Sequence, residues 1–290
     1  MTETTIADSD TTAARIADRA RQFRELHERP GAFVIPNPWD AGTARLFELL
    51  GFEALATTGA GFAFASGRAD GCTDPAALLD HVAALAAATD LPLSADLEDG
   101  FGAAPESVAA TITTVGGSGV VGGSIEDRHY RDDAVGQLFD IGHASERIRA
   151  AADAARSLPF PFTLTARCEC SLVGRADVTE TIRRLQAYQD AGAHVLYAPG
   201  VISVDDIRAI TSSVDRPVNV VMGLVPAAYS VAELAALGVR RVSLGSTLSR
   251  VALGAVVRAA EELRSTGTFS FVEDAIAYGR INSMFASATT

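Results

Sequence analysis

Short runs rich in Val, Ile, Leu and Ala recur at 32–35, 54–58, 93–96, 123–126, 162–166, 194–198, 218–221 and 241–244, each the length of a buried strand. Longer alanine-rich stretches with apolar residues three and four apart lie at 43–50, 75–89, 107–115, 144–156, 178–191, 204–212, 231–237 and 248–266, and predict helices. Strands alternating with helices predict repeated β-α units around a parallel sheet, and nearly continuous apolar strands predict that both faces are covered. The expected fold is α/β, a (β/α)8 TIM-type barrel. In Leu50-Gly51-Phe52, Ala191-Gly192-Ala193 and Leu237-Gly238-Val239 a glycine falls just past a helix end, where a left-handed cap turns the chain into the next strand.

Nothing between the units has the composition of a linker, so residues 13–290 are expected to form one barrel domain behind a flexible polar tail at 1–12. The stretch 269–285 carries Phe269, Phe271, Ile276, Tyr278, Ile281 and Phe285, an apolar face beyond what eight units require. An extra C-terminal helix there would bury this face either on its own barrel or on a neighbouring subunit.

Composition narrows the function. With 48% hydrophobic and 21% charged residues the chain has the balance of a folded domain. Its 24 Lys+Arg against 36 Asp+Glu give a net charge of −12, which repels phosphate backbones and anionic membrane surfaces and argues against nucleic acid as a partner. No apolar run approaches the ~18 residues of a membrane span. The first residues have neither the basic nor the apolar region of a signal peptide, and Cys72, Cys168 and Cys170 make no disulfide framework, so a cytoplasmic location is expected.

In a parallel barrel the strand C-termini and the loops after them form the reactive face. There the chain carries Asp96-Leu97-Glu98-Asp99-Gly100-Phe101-Gly102 after the third strand, Glu126-Asp127-Arg128 after the fourth and Arg167-Cys168-Glu169 after the fifth. Asp96 and Glu98, two apart on an extended backbone, would aim at one point. Carboxylates so gathered repel unless protons or a hard cation neutralise them. Magnesium suits the site because it takes oxygen ligands, keeps several waters and needs one or two direct carboxylates. His27, His81, His129, His143 and His194 show no zinc-like pairing. The planar fork of Arg167 would grip a substrate carboxylate, or else Glu169. Cys168 and Cys170 would point away from Glu169 as small buried hydrophobes. Gly117-Ser118-Gly119-Val120-Val121-Gly122 has the spacing of a dinucleotide loop but precedes a strand, so it is read as a turn. Gly245-Ser246 suits a phosphate site or a plain helix start, with Ser246 as cap.

Taken in order, Trp39-Asp40, Thr57-Thr58-Gly59-Ala60-Gly61, Asp96 to Gly102, Gly123-Ser124-Ile125-Glu126-Asp127 and Ala166-Arg167-Cys168-Glu169 resemble the isocitrate lyase and phosphoenolpyruvate mutase (phosphonomutase) superfamily, over about residues 23–246. The resemblance implies an enzyme that uses Mg2+, with Mn2+ the alternative, on a small α-oxo acid or 2-hydroxy tricarboxylate through an enolate, as a lyase or decarboxylase of the carbon–carbon type. It implies Asp96 as the direct metal ligand, Glu98 and Glu126 as acids behind bound waters, and Asp70 as the acid on the loop after the second strand. Thr58, Gly59, Ala60 and Trp39 fall at substrate-binding positions, and Arg167 at that of the substrate-binding arginine. A homo-oligomer, dimer or tetramer, with the C-terminal helix exchanged between subunits is also implied.

The chain departs from its relatives in two places. Their carbon–carbon lyases carry a Lys-Lys-Cys-Gly-His loop after the fourth strand, where this chain has Arg128-His129-Tyr130-Arg131-Asp132-Asp133. Their phosphonomutases carry a histidine near the end of the sixth strand and an aspartate at the position of Glu98, where this chain reads Ala198-Pro199-Gly200 and Glu. His129 and Tyr130 are then the candidate proton donors of the gating loop. Phosphorus–carbon chemistry, by a phosphonomutase or a phosphonopyruvate hydrolase, is the alternative, and a non-catalytic metabolite-binding barrel the alternative of another class.

Overall fold

The computed structural model describes residues 3–130, 135–224 and 229–286, with side chains from Thr12 onward. The order of elements is α1 (Glu3–Glu28), β1 (Phe33–Ile35), α2 (Ala41–Leu49), β2 (Leu55–Ala56), α3 (Gly59–Ala65), α4 (Pro75–Ala88), β3 (Leu93–Asp96), α5 (Pro105–Gly116), β4 (Gly122–Glu126), α6 (Ile141–Arg156), β5 (Thr163–Arg167), α7 (Val178–Asp190), β6 (Val195–Tyr197), α8 (Val204–Ser213), β7 (Val218–Val221), α9 (Val231–Ala236), β8 (Arg241–Ser243), α10 (Thr247–Ser265), a 3-10 turn (Ser270–Asp274) and α11 (Tyr278–Ala286). All eight strands pair in parallel in the order β1-β8-β7-β6-β5-β4-β3-β2. The fold is thus a (β/α)8 TIM-type barrel with a C-terminal helix, as the sequence pattern predicts.

The seam between β1 and β2 is held without a ladder. Ala56 N–H donates to the Pro36 carbonyl at 3.1 Å. Above it, Asn37 donates through Nδ2 to Thr57 O at 3.0 Å, and its Oδ1 accepts from the amides of Leu244 and Gly245 at 2.9 Å each. One amide side chain therefore ties the ends of β1, β2 and β8. The expected glycine caps are present: Gly51, Gly192 and Gly238 have φ of 84°, 108° and 92°, a region that costs glycine nothing. Gly117 to Gly122 is a turn leading into β4, with Gly117 capping α5. Ser246 heads α10 but its side chain makes no cap hydrogen bond.

Two helices differ from expectation. The tail predicted at 1–12 is helical from Glu3, in one run to Glu28, because no Pro or Gly interrupts the chain before Pro30; Met1 and Thr2 lie outside the described residues. The strand expected at 54–58 is only Leu55–Ala56, because Thr58 caps α3 by accepting the Gly61 amide on Oγ1 at 3.2 Å.

α1 closes the lower end of the barrel with Ala20, Phe23, Leu26 and His27, all buried. A methyl group at Gly122 would lie 2.8 Å from Thr163 O and 2.9 Å from the Phe23 ring, so β4 carries no side chain where this plug enters. At the other end of the chain, the C-terminal extension leaves its apolar residues uncovered: Val256 is 64% exposed, Phe269 68% and Tyr278 83%. Ser249 is the only buried residue of α10. Burial of this face on the chain's own barrel, one of the two expectations, is only partial: α11 lies against α2, while most of the apolar residues stay exposed.

The His27 ring stands edge-on between Phe23 and Phe33, at 4.8 and 5.0 Å between centroids, and its Nδ1 lies 2.8 Å from Phe23 O, to which it donates. Burial, and after it the Arg241 guanidinium, push the imidazole down to about 3. The unfolded chain takes a proton near pH 6.5 that the folded chain refuses until about pH 3, so the contribution of His27 to stability is complete above 6.5 and shrinks as pH falls through that window. In urea melts the stability difference between wild type and His27→Gln should therefore move against the wild type between pH 7 and pH 5; a difference constant over that range would contradict a neutral buried His27.

Candidate active site

Adjacent strands bring their C-terminal acids together because the register sets Asp96 beside Ser124, and Glu126 beside Arg167. Arg167 donates from Nε to Glu169 Oε1 at 2.5 Å, forms an ion pair through Nη1 with Glu126 Oε1 at 2.8 Å, and stands 3.8 Å from Asp96 Oδ1. Glu126 and Glu169 are buried and share this one guanidinium, so burial holds both above the usual carboxylate range against the pull of Arg167. Glu169 Oε2 is buried without a hydrogen-bond partner among the described residues. Arg167 Nη2 has no partner among the described residues, and Arg167 lines a cavity of about 50 Å³ with Thr57, Thr58, Asp96, Ser124 and Tyr197.

Asp96 is fixed from two sides. Its Oδ2 accepts the Gly59 amide at 3.1 Å, its Oδ1 the Ser124 hydroxyl at 3.4 Å, while its own N–H donates to Thr57 Oγ1 at 2.8 Å. Glu98 reaches the same place by an unexpected route. β3 ends at Asp96 and Glu98 has φ of 50°, followed by Gly100 at 73° and Phe101 at 64°, so the backbone is not extended there. Left-handed residues other than glycine cost of order 1 kcal/mol. The turn nevertheless brings both acids to Gly59: a Cβ there would lie 3.6 Å from Asp96 Oδ2 and 3.8 Å from Glu98 Oε1.

Two arginines from the surrounding helices hold these loops from behind. Arg147 of α6, buried over the Phe139 ring, donates to the carbonyls of Glu126, Asp99 and Gly102. Arg184 of α7 donates to Asp127 Oδ2 at 3.1 Å, alongside the Tyr188 hydroxyl at 2.5 Å, and Asp127 Oδ1 accepts the Glu169 amide at 2.8 Å. Sequence reasoning did not find Arg147, Asp127, Arg184 or Asn37 as supports, since the loop and strand-end partners they hold lie 20 to 208 residues away.

The loop candidates separate. Tyr130 donates its hydroxyl to Glu126 Oε2 at 2.8 Å, and burial holds it far above its ordinary range. Tyr130 also packs against Gly71, where a Cβ would meet its ring at 3.5 Å, which brings the Asp70 loop over the mouth. The Asp70 carboxyl is raised, by lost hydration and then by the charge of Asp96. His129 instead stacks on Phe139, 3.6 Å between centroids. Arg131 to Asp133 lie outside the described residues. Thr58 spends its hydroxyl on the α3 cap, Gly59 opens α3 and gives its amide to Asp96, Ala60 follows it in α3, and Trp39 packs beside Gly61.

Among the described residues no three His, Cys, Asp or Glu side chains form a metal cage. The oxygen-only donors, one accessible carboxylate flanked by two more and an unpartnered buried oxygen, instead fit a hard cation that keeps most of its waters.

The sequence profile of the phosphoenolpyruvate phosphomutase family matches residues 23–264. A crystal structure of a Burkholderia cenocepacia J2315 protein, provisionally described as a lyase/mutase, superimposes with a TM-score of 0.91 at 58% identity, covering 94% of this chain and 97% of that one. The phosphonopyruvate hydrolase of Variovorax sp. is 33% identical over 211 residues, 68% of this chain and 70% of its own. Oxaloacetate acetylhydrolase in complex with the product oxalate has a TM-score of 0.81 at 27% identity, covering 93% and 94%.

Replacing Arg147 by Met would leave three buried carbonyls without a donor and should lower stability in urea by about 3 kcal/mol or more. A loss under about 0.5 kcal/mol, the range of ordinary surface changes, would show that Arg147 does not hold the loops.

Proposed function

Because the chain belongs to the phosphoenolpyruvate phosphomutase family, we propose that it is a magnesium-dependent enzyme that cleaves a bond next to the carbonyl of a small α-oxo acid through an enolate, as a carbon–carbon lyase or decarboxylase. The observation that carries this reading is the surplus of carboxylate at the mouth, where Asp96, Glu126 and Glu169 crowd around Arg167 and, among the described residues, Glu169 Oε2 has no hydrogen-bond partner. Asp96 would hold the ion directly, with Glu98 and Glu126 receiving its waters. Bound there, Mg2+ or Mn2+ would polarise the oxo group and offset enolate charge.

The chain's own groups supply the rest. Arg167 has Nε and Nη1 engaged, so a substrate carboxylate meets it through Nη2 rather than through the whole fork. At the start of α3 the Gly59 amide is taken by Asp96, so Ala60 is the residue there whose amide the same acid would meet. Tyr130 stays protonated and rests on Glu126, whose raised carboxyl can return a proton to it, so this pair is the donor to the enolate carbon. His129, turned onto Phe139, is not placed for that task.

A second reading, phosphorus–carbon bond cleavage, is favoured by the 33% identity to phosphonopyruvate hydrolase and by the absence of cysteine from 128–133. No helix among the described residues is long and apolar enough to cross a membrane. We assign the protein to the cytoplasm as a homo-oligomer, dimer or tetramer, in which a second subunit covers α10 and the exposed residues from Phe269 to Tyr278.

Proton and phosphorus NMR with Mg2+ and oxaloacetate, methylisocitrate, isocitrate, phosphonopyruvate and phosphoenolpyruvate, with and without chelator, tests the assignment. Chelator-sensitive loss of a carbon acid supports the first reading and a new phosphorus signal the second; no turnover of any would favour a binding barrel. On the substrate so found, Tyr130→Phe should lower kcat about 100-fold or more with little change in KM, and His129→Gln should not. Equal activity of Tyr130→Phe and wild type would remove Tyr130 from the mechanism.

A further inference from the structure

TIM-type barrels are normally filled by branched apolar side chains. Here the cavity that opens at Asp96 and Arg167 runs down past Ser94, Ser124, Asn219 and Ser243 to Arg241. Arg241 is the first residue of β8, level with Asn219 of β7 and Phe33 of β1, and 5% exposed. Its Nε donates to Asn219 Oδ1 at 2.8 Å and its Nη2 to Thr165 Oγ1 at 3.2 Å. Its Nη1 faces His27 Nε2 at 3.5 Å, which is free to accept because Nδ1 donates to Phe23 O. A guanidinium has five N–H donors, so two remain without a partner among the described residues.

Nor does any described carboxylate pair with this charge. Burial lowers the guanidinium to about 10, and among the described residues the one ionisable neighbour that pulls it back up is Tyr197. Tyr197, 9% exposed, lines the same cavity, and its hydroxyl has no partner among the described residues. The nearby acceptors are already taken, Asn219 Oδ1 by Arg241 and Asn37 Oδ1 by two amides. A buried cation left unpaired costs several kcal/mol, and the open donors around it suit a negative guest.

We propose that the lower part of the barrel cavity, between Arg241 at its foot and Tyr197, whose ring lies 5.1 Å from the Arg167 guanidinium above, is a binding site for a small monoanion, either a free ion such as formate or chloride or a carboxylate arm of the acid bound at the mouth. Size restricts the guest: a cavity of about 50 Å³ holds only a few water-sized groups, each of which needs ~10–15 Å³. The free ion needs nothing from the proposed reaction; the carboxylate arm rests on it.

Calorimetric titration with formate in chloride-free buffer, with chelator and no oxo acid, tests the site on the whole protein. Saturable binding of one formate per chain is expected, displaced by chloride, weakened about tenfold or more in Arg241→Met and partly restored in Arg241→Lys. Tyr197→Phe, which removes a single hydroxyl, should weaken formate about threefold or more. Wild type that does not saturate, or a folded Arg241→Met that binds formate as wild type does, overturns the proposal; should Arg241→Met fail to fold, an unchanged affinity in Tyr197→Phe overturns it. With Mg2+ added, displacement of formate by oxaloacetate but not by pyruvate supports the carboxylate arm, and displacement by neither supports a free ion. Failure of the proposed reaction would instead leave formate binding intact while abolishing turnover.

Discussion

Arg167 is a single guanidinium among three carboxylates, two of them buried with it. It hydrogen-bonds Glu169, forms an ion pair with Glu126 and stands at the edge of Asp96. Burial, which Arg167 offsets in part at both acids and Arg128 at Glu169, holds the carboxyls of Glu126 and Glu169 high, and among the described residues Glu169 Oε2 has no hydrogen-bond partner. The surrounding structure reads as the scaffolding that such a cluster requires. Arg147 and the Asp127–Arg184–Tyr188 group fix the loop backbones on which the acids sit, and both are buried where a lost hydrogen bond is expensive. Rigid supports outside the mouth keep mutually repelling groups in place without consuming their charge.

The barrel was legible in the sequence because its signals are local. Strand-length apolar runs, helical spacing and glycines past helix ends each repeat within a few residues, and every one of the eight strands falls within a residue or two of its predicted place, β2 being the most shortened. The acids at the ends of β3, β4 and β5 were legible for the same reason, since their placement follows from where strands stop. Other features have no local signature. Arg147 lies 48 residues from Asp99 and Asn37 lies 207 from Leu244. Glu98 joins Asp96 through a left-handed turn that an alternating pattern does not foresee. His129 and Tyr130 are neighbours in the chain, yet Phe139 takes one and Glu126 the other.

The barrel carries opposite charges at different depths, with carboxylate in excess at the mouth and an arginine without a carboxylate below it. A cation at the upper level and negative groups between the two would balance both, which is the charge pattern of a metal-bound oxo acid. In this account the polar interior serves recognition at the expense of packing. The apolar face of the C-terminal extension is left largely exposed.

The most direct measurement is an electron paramagnetic resonance titration of wild type and Asp96→Asn with Mn2+, both shown folded by circular dichroism. The account predicts one Mn2+ per chain in wild type, competed by Mg2+, and its loss in Asp96→Asn. Undiminished Mn2+ binding in the variant, or none in wild type, would contradict the assignment of the mouth as a divalent-cation site.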